Sequence, residues 1–282
     1  MIFRYNIDEE ITVNDYLKKV NIPSNVLSSL KSSNGQILVN DQTVSIIYMM
    51  KKGDLLEIVF PSSNQGENIT SVKGDFKIVY EDSYLLIIDK ANNLACIPTR
   101  KHYNHSLANY VMSYYKRMGI VANIHFVSRL DAPTSGLIIL AKNSYMLTLM
   151  KNTMLNKYYL LEVHGSIKPD EGIIETGIEK DPESIIKRRI TNAYINSKTI
   201  YKTISKTDSN SIIEALLVTG KTHQLRLHFS NLGYPIVGDL LYDETNNDES
   251  SILHLHSYKV EFIHPITKEK MKFTSYPNWY KK

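Results

Sequence analysis

An aspartate on a stiff mount is the first candidate for chemistry. In Ser128-Arg129-Leu130-Asp131-Ala132-Pro133-Thr134-Ser135-Gly136 a charged pair sits in a turn-rich loop, and the apolar run Leu137-Ile138-Ile139-Leu140-Ala141 follows. That run is short, β-prone and bracketed by Gly136 and Lys142, the pattern of a buried strand. Pro133 fixes its own φ, and Gly136 permits a turn that other residues resist. Asp131 is therefore held at the mouth of a core strand, where a carboxylate can be aimed at a substrate. The plainer alternative is an aspartate that caps its own turn, with Arg129 as a surface partner.

The second candidate stretch is Thr219-Gly220-Lys221-Thr222-His223-Gln224-Leu225-Arg226-Leu227-His228-Phe229. Read as a helix, it has Thr222 as a cap, Leu225, Phe229 and Leu232 on one face, and Gly233 and Pro235 as its stop. His223 and Arg226 then point the same way. Read as a strand, Gln224, Arg226 and His228 share a face. Both readings fix an arginine beside an apolar core element; in the plainer alternative its stem packs while its head meets solvent. Three other patterns carry less. Ala215 to Thr222 nearly matches a phosphate-binding loop, but its first glycine is missing and Leu216-Leu217-Val218 belongs to a strand interior. His102-x-x-His105 and His254-x-His256 lack third and fourth ligands nearby, so no metal is expected. Ser135 lacks the glycines of a nucleophile elbow.

The elements that must position these groups follow from spacing. Val13, Tyr16, Leu17 and Val20 predict a helix capped by Thr12 or Asn14, and Ser24 starts a second helix carrying Val26, Leu27 and Leu30. Asn34-Gly35 marks a turn, and strands are expected at Ile37 to Asn40 and Leu55 to Val59. The polar, breaker-rich stretch from Pro61 predicts a linker ending near Asp75. Beyond it, Phe76 to Tyr80 and Tyr84 to Lys90 are strands, Ser106 caps a helix through Tyr114, and Asn143 or Ser144 caps another through Met150. Further strands fall around Tyr159, at Thr199 to Ser205, at Ser211 to Thr219 and at His256 to Ile263. Strands outnumber helices and rarely alternate with them, so the expected fold class is α+β with a mixed, largely antiparallel central sheet.

Composition sets bounds. With 282 residues, 43% of them hydrophobic, the chain can fill one large domain or a large and a small one. A net charge of +4 only faintly favours a nucleic-acid partner. The single cysteine, Cys96, excludes an internal disulfide and a multi-cysteine zinc site. No apolar run approaches a membrane span and the first residues lack a signal-peptide core, so a cytoplasmic location is expected.

Taken together, Arg129-Leu130-Asp131-x-x-Thr134-Ser135-Gly136, Lys157-x-Tyr159, Gly220-x-Thr222-His223-Gln224-x-Arg226-x-His228 and the tail Gly233-Tyr234-Pro235-Ile236-Val237-Gly238-Asp239-x-x-Tyr242 resemble the RluA family of pseudouridine synthases. The likeness runs from about Lys77 to Pro277. It departs at Ser128, where the family often has histidine. Residues 1–60 resemble the alpha-L RNA-binding module through Ile37 to Asp41 and Lys52 to Val59. That segment nevertheless holds six basic residues (Arg4, Lys18, Lys19, Lys31, Lys51, Lys52) against seven acidic ones (Asp8, Glu9, Glu10, Asp15, Asp41, Asp54, Glu57). A module that grips phosphates carries excess cation.

The resemblance implies a module over 1–60, a linker over 61–75 and a catalytic domain over 76–282. It implies an enzyme that detaches uracil from ribose in structured RNA, rotates it and rejoins it through a ring carbon, without cofactor or metal. Asp131 is then the catalytic carboxylate, Arg226 pairs with it, and Tyr159 lies against the uracil. Arg129 takes the space that the extruded base leaves. Thr134, Ser135, Lys157, Thr222, His223, Gln224 and His228 support the site. Ribosomal RNA is the favoured partner, with transfer RNA open, and a monomer is assumed by default. The competing expectations are an RNA-binding protein that kept the scaffold without chemistry and a hydrolase acting on nucleosides, which would need a second catalytic carboxylate.

Overall fold

The structure is a computed structural model and describes residues 2–20, 22, 35–59, 69–99, 103–246, 248 and 250–281. The expected second helix from Ser24, Asn34 of the expected turn, and the linker residues Pro61 to Asn68 lie outside the described residues. The chain begins with β1 (Ile2–Asn6), β2 (Ile11–Thr12) and α1 (Val13–Lys19). Thr12 caps α1 by accepting the Asp15 N–H, and Lys18 and Lys19 in the last turn complement the helix dipole. Next come β3 (Gln36–Val39), β4 (Gln42–Thr43), β5 (Met49–Met50) and β6 (Leu55–Val59). They form an antiparallel sheet in the order β1-β6-β3-β4, with β2 and β5 paired apart from it.

The rest of the described chain builds one large sheet. Its elements are β7 (Lys77–Glu81), β8 (Leu85–Lys90), α2 (Leu107–Met118), β9 (His125–Phe126), β10 (Ser135–Ala141), α3 (Ser144–Lys151) and β11 (Asn156–His164). They continue with β12 (Glu171–Lys180), β13 (Arg188–Thr191), β14 (Ser197–Lys206), β15 (Asn210–Leu217), α4 (Gln224–Asn231), β16 (Leu255–Ile263) and β17 (Lys270–Thr274). The strand order is β13-β12-β14-β15-β11-β16-β10-β8-β7, with β9 beside β10 and β17 beside β16. Among the described residues only β10 and β16 run parallel; every other pair is antiparallel. The fold is α+β with a mixed, mostly antiparallel sheet.

β10 explains its own sequence. All seven of its residues are buried, because both faces of the sheet are covered there. Leu137, Ile139 and Ala141 face a core shared with Phe3, Leu56 and Ile58 of the first sheet and with Tyr145 and Met146 of α3. Ile138 and Leu140 face a second core with Leu107, Val111 and Tyr115 of α2 and Leu225 and Phe229 of α4. Phe3 meets Tyr145 edge-on at 4.6 Å, and the Tyr5 and Tyr145 hydroxyls lie 2.6 Å apart. The caps named from sequence stand at Ser106, where a full capping box forms with Asn109, and at Asn143, whose Oδ1 accepts the Met146 N–H.

β1, β2, β4, β5, β9, β12, β13 and β17 were not expected. β12 buries Ile174, Gly177 and Ile178, which breaks the two-residue alternation, and β13 is Arg-Arg-Ile-Thr. β12 and β13 are held by pairing at the end of the sheet and by contacts such as Arg189 to Glu179 at 2.8 Å, and β17 by pairing to β16, none of which a single-strand pattern carries.

The β7–β8 turn is locked by Asp82. Burial opposes its ionisation. Outweighing that, His264 Nε2 lies 3.2 Å away, the Tyr84 and Leu85 N–H groups donate at 2.6 Å, and the Tyr80 hydroxyl donates at 2.9 Å. The carboxyl is pulled from 3.8 down to about 2. A depressed folded-state value gives stability that is present above the unfolded value and lost as pH falls. Asp82→Asn is therefore expected to unfold more readily at neutral pH, by on the order of 2 kcal/mol. The difference from wild type should vanish between about pH 4 and pH 2, followed by urea titrations across pH.

Candidate active site

The loop between β9 and β10 is held at four successive carbonyls. Leu130 O accepts from the Cys96 thiol at 3.1 Å, and Asp131 O accepts the Thr134 N–H at 3.1 Å. Ala132 O accepts from Lys90 Nζ at 3.0 Å, and Pro133 O accepts from Asn92 Nδ2 at 2.9 Å. Lys90 also donates to Ala91 O and Leu94 O, so one buried ammonium ties the 91–96 segment to the Asp131 loop. Burial pushes the Lys90 amine down to about 8, and the charge of Asp131 pulls the other way. At the loop's end Gly136 has φ +108, and a Cβ there would stand 2.4 Å from Ser257 O of the parallel strand. Only glycine lets β10 and β16 approach this closely. The stiff mount expected from Pro133 and Gly136 is thus reinforced from outside by Lys90, Asn92 and Cys96, to which the sequence pattern assigned no part.

α4 brings the arginine. Arg226 is buried and makes a two-pronged contact with Asp239: Nε to Oδ2 at 2.8 Å and Nη2 to Oδ1 at 2.6 Å. Asp239 Oδ1 also accepts the Leu241 and Tyr242 N–H groups. Only the third nitrogen faces Asp131, with Nη1 at 4.0 Å from Oδ2. The Arg226–Asp131 pair expected from sequence is present at ion-pair distance, and Asp239 is a second, closer partner that the sequence did not name. The physical reason is burial: Asp239 is fully enclosed and must be matched in charge, whereas the Asp131 side chain keeps 29% of its surface exposed. The Tyr242 ring lies beneath the guanidinium, 5.3 Å from its carbon. Burial alone weakens the Arg226 charge; Asp239 and then Asp131 more than offset it, so its pKa rises.

The start of α4 differs from expectation. His223, not Thr222, is the cap residue, and it makes no side-chain capping bond. It sits in the left-handed region at φ 58. There its Nε2 lies 3.9 Å from Asp131 Oδ2 and its Nδ1 lies 2.9 Å from the Tyr242 hydroxyl. Burial, helped by Arg226 and Arg188, lowers its pKa, against the pull of Asp131 and Asp239.

These groups share one cavity of about 560 Å³, lined among others by Arg129, Asp131, Lys157, Tyr159, His223 and Arg226. Thr134, Thr222 and Gln224 also reach its wall. Tyr159 enters from β11, where the register against β16 shifts between Tyr158 and Tyr159, the kind of irregularity that re-aims a side chain. Burial and the nearby Asp131 charge push its phenol well above the ordinary value. Burial also lowers the Lys157 pKa. Arg129 is exposed at the rim, without an ion pair or hydrogen bond among the described residues.

Two of the nominated support residues lie off the cavity wall. The Ser135 hydroxyl meets His256 Nδ1 at 2.8 Å inside the sheet. His228 is buried among Thr176, Ser197 and Thr199, at 2.9 to 3.0 Å, and its pKa falls to about 4 because of that burial. Gln224 spends its amide on structure: it accepts from Thr219 and the Lys221 N–H and donates to Lys198 O and Thr199. Of the four histidines weighed as metal ligands, His102 lies outside the described residues. His254 pairs with Glu162 at 2.7 Å and stacks on Trp279. No group of three His, Cys, Asp or Glu suited to a metal occurs among the described residues. Nor is any described helix long and apolar enough to cross a membrane. Asp239 and Tyr242 carried no role in the sequence reading; the signal was there in the tail Gly238-Asp239-x-x-Tyr242, but not its target.

The cavity thus collects a carboxylate, a buried arginine and a buried tyrosine from three separate parts of the chain. The family model for RNA pseudouridylate synthase matches residues 84–231. The chain is 34% identical over 267 residues to the uncharacterized RNA pseudouridine synthase YjbO of Bacillus subtilis (strain 168), covering 93% of this chain and 94% of that one. It is 28% identical over 291 residues to the ribosomal large subunit pseudouridine synthase D of Blochmanniella floridana, covering 93% and 89%. The solved structure of human RNA pseudouridylate synthase domain containing 1 shares the fold, with a TM-score of 0.60 at 23% identity over 73% of this chain and 85% of that one. The chain belongs to the RNA pseudouridine synthase family, of the RluA type. Its activity is the isomerisation of uridine to pseudouridine in RNA.

Removing Asp239 would strand a buried guanidinium. Asp239→Ala is expected to cost about 3–5 kcal/mol of stability, more than a surface ion pair contributes, as measured by chemical denaturation.

Proposed function

We propose that Asp131 is the catalytic carboxylate of a uridine isomerase that acts on structured RNA, with ribosomal RNA as the substrate. The carrying observation is that Asp131, Tyr159 and Arg226, from three separate parts of the chain, line one cavity. In the reaction the bond from uracil N1 to ribose C1′ breaks and a bond from uracil C5 to C1′ forms. The proton on C5 is lost and N1 gains one, so the product is an isomer and no co-reactant is consumed. Asp131 acts at the ribose; attack at C1′ and proton removal at C2′ both start from a carboxylate in this position. Arg226, anchored on Asp239, turns its third nitrogen towards Asp131 and orients the carboxylate. Tyr159 forms the wall against which uracil turns. Arg129, unpaired at the rim, fills the space vacated when the nucleotide is drawn out of its stack.

Relatives named for the large ribosomal subunit favour ribosomal over transfer RNA. In this reading residues 76–282 carry the chemistry, 61–75 connect, and 1–60 form the leading module. That module's six basic and seven acidic residues, and its packing of Phe3, Leu56 and Ile58 onto the central sheet, favour a supporting role over a phosphate grip.

The test is release of tritium from RNA labelled at uridine C5 and extracted from cells lacking this gene. Asp131→Ala is expected to lower turnover roughly 10⁴-fold while RNA binding is retained. Turnover at the wild-type rate would overturn the assignment. Arg129→Ala is expected to raise KM more than it lowers kcat, since base extrusion costs a few kcal/mol. Sequencing of pseudouridine in the same RNA before and after treatment then locates the target; sites in transfer RNA alone would overturn the ribosomal reading.

A further inference from the structure

Tyr242 connects two of the cationic-capable groups of the cavity, Arg226 and His223. Its ring lies beneath Arg226, and it also meets the His223 ring edge-on at 5.6 Å. Its hydroxyl oxygen accepts the Arg188 N–H at 2.8 Å. That bond uses an acceptor position and leaves the phenol proton to be placed. The acceptor in reach is His223 Nδ1 at 2.9 Å. If Nδ1 carried a hydrogen, the phenol proton would have to turn away from its protein partner in a half-buried site. The network is closed within the protein when the phenol donates to an unprotonated Nδ1. Neutral imidazole then carries its hydrogen on Nε2. That nitrogen is the one beside Asp131, at 3.9 Å from Oδ2. The gap is too long for a hydrogen bond between them, so the donor is left directed at the cavity.

The backbone is consistent with a fixed position: His223 sits in the left-handed region at φ 58, which few non-glycine residues adopt although histidine is among those enriched there, and its ring lines the cavity beside Asp131. The charged and titratable groups around the ring are Asp131, Asp239, Arg226, Arg188 and Tyr242. The two carboxylates and two guanidiniums oppose each other, which leaves burial to decide, and burial keeps the ring neutral.

We propose that His223 is a further catalytic residue, held by Tyr242 as the Nε2–H tautomer, whose N–H donates to uracil O2 as the glycosidic bond breaks. The proposal rests on the uridine-isomerising reading above. When N1 leaves C1′, the electron pair it takes is shared with the ring carbonyl oxygens. A preset donor beside the carboxylate that acts at C1′ meets the nearer of these oxygens as its charge grows. Tyr242 is a positioning residue: it touches no substrate and acts through the ring it orients, much as a fixed partner sets the tautomer of other catalytic imidazoles.

Two measurements decide it. Nitrogen–proton correlation spectra of protein labelled in its histidines, with His223 assigned by its loss in His223→Gln, report the tautomer without substrate. We expect an unprotonated Nδ1 and a protonated Nε2, and a mixture of tautomers in Tyr242→Phe. A protonated Nδ1 in the wild type, or an unchanged pattern in Tyr242→Phe, would overturn the proposal. The tritium-release assay on the same labelled RNA gives the second. His223→Leu is expected to lower kcat about 10²-fold with KM little changed. His223→Gln, which restores an N–H at a similar reach, should recover at least tenfold of that, and Tyr242→Phe should lose about tenfold. A rise in KM at constant kcat would instead mark a ground-state contact, such as one to the ribose 2′-hydroxyl, and would overturn the catalytic role. Wild-type protein that releases no tritium would overturn the parent reading and the catalytic role together, while the spectra would still decide the tautomer.

Discussion

The contact on which this site depends is the buried pair of Arg226 and Asp239. A guanidinium taken out of water without a partner costs several kcal/mol, so an arginine cannot be delivered to the inside of a sheet by a helix alone. Asp239 meets it with both oxygens and is itself fixed by the Leu241 and Tyr242 N–H groups. The planar fork leaves one nitrogen over, and that nitrogen faces Asp131. A lysine in the same place carries its three N–H donors on one nitrogen and could not bracket one carboxylate while presenting a separate nitrogen to the other. The pair thus converts a structural requirement, neutralising a buried charge, into a directed positive charge beside a half-exposed carboxylate.

The opposite wall is built on a different principle. Besides the burial of Leu130 in the second core, the Asp131 loop is held by its own backbone, with the carbonyls of residues 130 to 133 each given a donor. Backbone oxygens in a loop must find partners, and water would satisfy them without fixing anything. Lys90, Asn92 and Cys96 satisfy them with groups on or next to β8, which pairs with β10. The carboxylate is therefore referenced to the same strands that carry the core, and its freedom is reduced to that of its own side-chain torsions.

Much of this was visible in the chain, and the boundary of legibility has a physical cause. β10 was legible because a strand covered on both faces must be apolar throughout, and a continuous run between Gly136 and Lys142 leaves few other structures. Asp131, Tyr159 and Arg226 were legible because their spacing matches a family pattern, and the cavity gathers all three. Asp239 as the main partner of Arg226 was not legible, because the choice between two carboxylates depends on which is buried, and burial is a property of the folded tail. The same holds for the support residues: a pattern groups Ser135 with Thr134 and His228 with Arg226. A strand alternates its faces and a helix turns, so Ser135 meets His256 and His228 meets Thr199 instead. β12 and β13 escaped notice because strands at the end of the sheet that carry charged residues hold their stabilisation in cross-strand partners rather than in their own periodicity.

The two cores flanking β10 bear on how the first sheet and the cavity are connected. Alternate residues of one strand face opposite sides, so Leu137 and Ile139 pack under Phe3 and Ile58 while Ile138 and Leu140 pack under α2 and α4. A change in the leading sheet is felt by the strand whose first turn holds Asp131, without any residue of that sheet reaching the cavity wall. Close packing transmits displacement rather than absorbing it. Gly136 marks where this matters most: with Ser257 O and N within 2.6 Å of any added Cβ, β10 has no room to slide against β16. The rigidity that aims the carboxylate is thus shared by the whole sandwich, and the leading sheet contributes to it by covering a face that would otherwise expose Leu137, Ile139 and Ala141 to water.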